Sequence, residues 1–227
     1  MSYLHLFLFG IYPYIALVVF LLGSLVRFER EQYTWRAEST QFLHRGPLRL
    51  GSNLFHVGII GVFLGHLGGL LTPLAVWEWL GVPLSAKQLL AMGAGGALGG
   101  VALAGLLILL WRRFSNQRLA VQTALRDKIL LPWLLLTLCL GLATIPESAQ
   151  HLDGQAMLTF MLWAQHILTL RGDAASLVSD APLVFRLHIF FGLTFFMLFP
   201  FTRMVHSWSG FASVSYLTRA WQLVRPR

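Results

Sequence analysis

Five stretches of this sequence run for 17 to 23 residues with almost no charge: Leu4–Val26, Leu54–Leu74, Leu89–Trp111, Ile129–Ile145 and Leu183–Val205. A helix of about 20 apolar residues crosses the hydrocarbon of a bilayer, so each run is long enough to span a membrane. Strands of a membrane barrel would alternate apolar and polar residues over about 10 positions, and these runs do not alternate. The expectation is an all-α bundle of five transmembrane helices forming a single domain over residues 1–227. Only 11% of the residues are charged, against about 25% in an ordinary soluble domain, which excludes a water-exposed globule and equally a disordered chain. The first run has no Lys or Arg before it and exceeds a usual signal-peptide core, so it reads as a retained span. One cysteine, Cys139, excludes a disulfide framework, a thiolate zinc site and an iron–sulfur cluster.

The net charge of +8 becomes informative once it is placed between the spans. Arg27, Arg30, Arg36, Arg45 and Arg49 follow the first span, and Arg112, Arg113, Arg118, Arg126 and Lys128 follow the third. Arg203, Arg219, Arg225 and Arg227 end the chain, whereas the alternate connections carry only Lys87 and Arg171. Fourteen of the 17 basic residues thus fall on one side. The positive-inside rule makes that side cytoplasmic, with the N-terminus outside and the C-terminus inside. The basic excess is a topology signal, not a nucleic-acid footprint. In the long outer connection, Met157–Leu170 reads either as an amphipathic helix at the interface or as a helix packed on the bundle.

Ionisable side chains inside spans are expensive, and by default they mark function. His56 and His66 lie on the second span, and His188 and His206 on the fifth. These spans run in opposite directions, so His56 shares the inner level with His206, and His66 the outer level with His188. At 1.5 Å per residue His56 and His66 are about 15 Å apart, and His188 and His206 are at most about 27 Å apart, with Pro200 as a kink. That spacing suits two stacked macrocycles, each held noncovalently by two imidazoles, a ligand set for electron transfer. Structural histidines or a proton relay are the alternatives. Gly58, Gly61, Gly65, Gly68 and Gly192 would give a planar ring room, or would instead serve close helix packing. His5, His44, His151 and His166 have no partner at matching depth and read as surface or capping residues, with His151 near the outer level.

Longer strings around these residues resemble the gamma subunit of membrane-bound respiratory nitrate reductase, a dihaem cytochrome b. They are I-Y-P-Y-I-A at Ile11–Ala16, Q-Y-T-W-R-A at Gln32–Ala37, S-N-L-F-H-V-G-I at Ser52–Ile59, Gly65-His66, and L-T-P at Leu71–Pro73. They continue with L-A-T-I-P-E-S-A-Q-H-L-D-G at Leu142–Gly154, F-R-L-H at Phe185–His188, L-F-P-F-T-R-M-V-H at Leu198–His206 and Y-L-T-R at Tyr216–Arg219. The resemblance covers essentially the whole chain. It implies two haems b, the inner on His56 and His206 and the outer on His66 and His188, and oxidation of quinol near the outer haem. Electrons would then leave through an iron–sulfur beta subunit to a molybdenum alpha subunit at the cytoplasmic face of the bacterial inner membrane, serving nitrate reduction in anaerobic respiration. Lys87 looks like the family's quinol-site lysine, with Gly65 as a second quinol contact. Arg186 and Arg203, with Arg112 or Arg113, would pair haem propionates, because a guanidinium binds carboxylate bidentately. The third span, with A-M-G-A-G-G-A-L-G-G at 91–100, is more glycine-rich than the family pattern. The alternatives are a cytochrome b of another quinone-linked oxidoreductase, of the formate dehydrogenase or hydrogenase type, and a proton-coupled transporter with a histidine relay.

Overall fold

The computed structural model describes residues 2–30, 45–116 and 125–208. Arg36, His44, Arg118, Arg219, Arg225 and Arg227, and the motifs at 32–37 and 216–219, lie outside the described residues. Five helices are long and apolar enough to cross a membrane: Tyr3–Arg30, Gly46–Leu71, Leu84–Ser115, Leu125–Ser148 and Leu183–Phe201. Among the described residues there is no strand, and the architecture is all-α as expected. Their outer faces carry exposed Val18, Leu21, Leu25, Ile60, Phe63, Leu64 and Leu107. Contiguous apolar surface of that kind is stable only against lipid or another protein.

The spans pack in the order second, third, fourth, fifth, first. The tightest seam lies between the second and third. A Cβ at Gly58 would sit 2.4 Å from the Ala102 backbone nitrogen, and one at Gly105 would sit 2.3 Å from that of Phe55. Backbone therefore meets backbone twice, about one turn apart along each helix. Gly61 meets Leu98, and on the other face of the third span Gly99 meets Leu142 and Gly96 meets Ile145. Of the two readings of these glycines, Gly58 and Gly61 follow close helix packing and do not make room for a planar group. Gly65, Gly68 and Gly192 have nothing within 4 Å of a built Cβ. The unusual glycine content of the third span is in part a consequence of its central position between two neighbours.

Three boundaries differ from the sequence expectation. The fourth helix runs to Ser148, through Pro146, because a proline ends a helix only if the freed carbonyl and the ring clash find no accommodation. The third begins at Leu84, so Lys87 stands in its first turn and not in a loop. The fifth α-helix stops at Leu198, and His206 is carried by a separate 3₁₀ segment, Arg203–Trp208, beyond the extended Thr202. Pro200 causes this break, having no N–H and a ring that excludes helical continuation. The first span accommodates it. Gly23 lies under the proline ring, its built Cβ only 2.8 Å from Pro200 Cγ. One turn later Arg27 donates to the Pro200 carbonyl at 2.7 Å and to the Thr202 carbonyl at 2.8 Å.

At the opposite end, helix Gln155–Leu168 packs as part of the bundle. Met161, Trp163, Ala164 and Ile167 are buried, the last three in a cluster with Phe9, Ala174, Ala175 and Val178. Its polar side chains reach carbonyls at irregular points of two spans. Trp163 Nε1 donates to Phe9 inside a π-helical turn of the first span. Gln165 Nε2 donates to Leu70 and Thr72, where the second span ends before Pro73. His5, expected as a surface or capping residue, is buried, with Nε2 2.8 Å from the Ala175 carbonyl.

Gly58→Ala should force the second and third spans apart, lowering stability in detergent by about 1–3 kcal/mol, whereas Gly100→Ala, with open space around it, should leave it unchanged or raised. Thermal unfolding of the two variants compares them directly, and equal melting temperatures would refute the seam.

Candidate functional site

The structure brings the four span histidines together in two facing pairs. The rings of His56 and His206 have centroids 6.1 Å apart, and those of His66 and His188 are 6.0 Å apart. Among the described residues no group of three or more His, Cys, Asp or Glu converges. What the fold offers is two ligands twice, from the two spans that share no extended packing seam.

Each ring is oriented by a backbone carbonyl. His56 Nδ1 lies 2.7 Å from the Ser52 carbonyl, His66 Nδ1 lies 2.8 Å from that of Val62, and His206 Nδ1 lies 2.7 Å from that of Arg203. His188 Nδ1 lies 3.1 Å from the carbonyl of Thr137, on the fourth span. A carbonyl can only accept, so every Nδ1 carries the proton and every Nε2 keeps its lone pair. That is the tautomer a metal-ligating histidine requires. If each Nε2 were about 2.0–2.1 Å from a shared metal, with the ring centre about 1.1 Å behind it, the two imidazole centres would lie about 6.3 Å apart. The observed 6.0 and 6.1 Å fit a single metal atom between each pair. The residues present therefore suit a bis-imidazole macrocycle at both levels.

Comparison with known proteins gives the same direction. The family model for the nitrate reductase gamma subunit matches residues 5–227. The chain belongs to that family. Respiratory nitrate reductase 2 gamma chain of Escherichia coli is 48% identical over 226 residues, covering all of this chain and 99% of the relative. Respiratory nitrate reductase 1 gamma chain of the same organism is 48% identical over 228 residues, covering both chains completely. The nitrate reductase gamma chain of Bacillus subtilis is 36% identical over 97% of each chain. Membership of the gamma-subunit family places this chain among the subunits of an oxidoreductase complex, and with its five apolar helices it is a multi-pass membrane protein.

Around this family's histidines, the other predicted residues divide between structure and site. Lys87 is buried; its Nζ lies 2.7 Å from Met161 Sδ and 4.8 Å from the centre of the Trp77 ring. It does not snorkel to the surface. Gln88 beside it donates to the carbonyls of Ser148 and His151, tying the S-A-Q-H turn to the third span. Gly65 is exposed next to His66, and the helix loosens into a π-helical turn immediately after that histidine. Such turns recur at functional positions. His166 is half-buried against Asp173 at 2.8 Å, and His151 is exposed. Neither joins a pair.

At the His56–His206 end, Asp127 is a hub that the sequence reading missed. Its Oδ2 lies 2.9 Å from Arg113 and 3.4 Å from Arg203, so Arg203 is engaged by a carboxylate of the chain itself. Asp127 gave little signal, since it is one acid among many bases and its two partners come from two other elements, the third span and the segment after the fifth. Arg112 is buried in the last turns of the third span. Arg186 is in the first turn of the fifth, with Nε buried and without a hydrogen-bond partner among the described residues. A guanidinium nitrogen in that state calls for an acceptor.

Asp127→Ala would remove the buried carboxylate that Arg113 and Arg203 share. The expected cost is about 3 kcal/mol, measured as a lower unfolding midpoint, and relieved when Arg113→Met is added. Additive losses in the double variant would contradict the hub.

Proposed function

We propose that this chain is the quinol-oxidising dihaem cytochrome b of a nitrate reductase, acting as one membrane domain over its full length. The observation that carries the reading is the pair of 6 Å imidazole gaps, each with both Nε2 lone pairs free to point inward, in a member of the gamma-subunit family. His56 and His206 would hold one haem b, and His66 and His188 the other. When bound, the two haems supply a one-electron relay between a quinol and a docked iron–sulfur subunit.

The chain's own residues do the rest. Backbone carbonyls hold all four imidazoles in the ligating tautomer and strengthen them as donors. Lys87 and Gly65 stand at the His66–His188 end as quinol contacts, Lys87 donating a hydrogen bond to a quinol oxygen. Arg186 would take a propionate at that level, its buried Nε already needing an acceptor. Arg112 and Arg203 would do so at the other. The charge bias places the N-terminus in the periplasm and the His56–His206 end at the cytoplasmic face of the bacterial inner membrane. There the iron–sulfur beta and molybdenum alpha subunits would dock, and nitrate would be reduced on the alpha subunit. Quinol oxidation on the outer side releases protons outside while electrons move inward, separating charge across the membrane.

Haem extraction with a reduced-minus-oxidised spectrum should give two haems per chain, and fewer than two would overturn the reading. Replacing His66 with Ala should remove one haem, leave the other, and abolish quinol oxidation. Arg186→Gln should shift the potential of the outer haem alone; an unchanged potential would remove its propionate role.

A further inference from the structure

Three of the four span histidines take their orienting carbonyl from their own helical segment, three or four residues earlier. His188 does not. Its Nδ1 reaches across to the Thr137 carbonyl of the fourth span. One turn further along that span, at the position where the same helix face returns, stands Gly141. A Cβ built there would lie 2.8 Å from His188 Cε1 and 3.4 Å from both ring nitrogens. The ring edge from Nδ1 through Cε1 to Nε2 is therefore laid flat along one turn of the fourth span. The carbonyl fixes one end of that edge, and the missing side chain of Gly141 receives its middle.

We propose that Thr137 and Gly141 form a slot that positions His188, making the fourth span a positioning element for the outer haem. The inference rests on the reading that His188 is a haem ligand. Two further contacts hold the slot in place. Trp133 Nε1 donates to the Phe191 carbonyl, and its ring lies 4.4 Å from that of Phe191, which fixes the fourth span against the fifth less than one turn beyond His188. Thr137 and Thr144 each return their hydroxyl to a carbonyl of their own helix, at Trp133 and Gly141. The ring has little freedom to yield to an added methyl. Nδ1 is held by Thr137, and the ring centre lies 6.0 Å from that of His66. A side chain at 141 must rotate or displace the imidazole, and the rotation of an axial ligand is visible in the low-spin spectrum of the haem. Among the described residues no glycine plays this part for the other pair: Gly51 and Gly58, near His56, pack against the third span.

The test uses the full chain assembled with its partner subunits. Gly141→Ala should change the electron paramagnetic resonance g-values of the outer haem, or lose that haem alone, while the inner haem keeps its wild-type signal. Gly141→Ser should move it further, and Gly100→Ala, a glycine remote from any packing contact, should move neither. Wild-type signals from both haems in Gly141→Ala would overturn the slot. A second measurement does not depend on that variant folding. In His188→Gly, added imidazole should restore the low-spin outer haem, whereas 1-methylimidazole, with no N–H for the Thr137 carbonyl and a methyl facing the fourth span, should bind about tenfold more weakly, as expected for one lost hydrogen bond. Equal rescue by the two compounds would also overturn the proposal. If the haem reading itself fails, the sign is different: His188→Gly and wild type would contain the same number of haems.

Discussion

In hydrocarbon a backbone carbonyl without a partner has no water to turn to, and much of this structure follows from how its carbonyls are answered. At three points where a span departs from a regular α-helix, a side chain from elsewhere supplies a donor. Arg27 serves the break at Pro200, Gln165 the end of the second span, and Trp163 the π-helical turn of the first. The four paired histidines belong to the same accounting, since each gives its Nδ1 proton to a carbonyl. The requirement that polar groups be satisfied internally thus also fixes the tautomer, and the tautomer turns four imidazoles into potential metal ligands.

Packing divides the bundle into a closed part and an open part. The second and third spans meet backbone to backbone at Gly58 and Gly105, and the third, fourth, fifth and first follow in succession. The second and fifth spans instead face each other through histidines 6 Å apart at two levels. A close seam on one side holds the second span in register, so its two histidines stay opposite their partners without an extended seam between the second and fifth spans. The arginine-rich end is drawn together by Asp127, which offsets like-charge repulsion among side chains that positive-inside bias has crowded onto one face.

Much of this was legible because membrane sequences are strongly constrained. Length and apolarity located five spans, and antiparallel order sorted His56, His66, His188 and His206 into the pairs that the structure brings together. The glycines were less legible. A glycine looks the same in sequence whether it admits a neighbouring helix, as Gly58 does, a proline ring, as Gly23 does, or an imidazole, as Gly141 does. The prolines were also misjudged: the fourth span was expected to stop at Pro146 and the fifth only to kink at Pro200. Pro146 lies within a helix that continues to Ser148, whereas the fifth α-helix ends before Pro200, where Arg27 takes up the carbonyls of Pro200 and Thr202 beyond the break.

By itself the sequence determined the solvent, the number of crossings and the levels of the histidines, because these depend on residue type and spacing along a single helix. Tertiary structure decided which groups answer which carbonyls. Burial of Lys87 against Met161, the Asp127 hub and the support of His188 by the fourth span all join residues tens of positions apart or on different helices. Such contacts depend on helix azimuth and separation, and a periodic apolar pattern facing lipid on one side constrains those quantities only weakly.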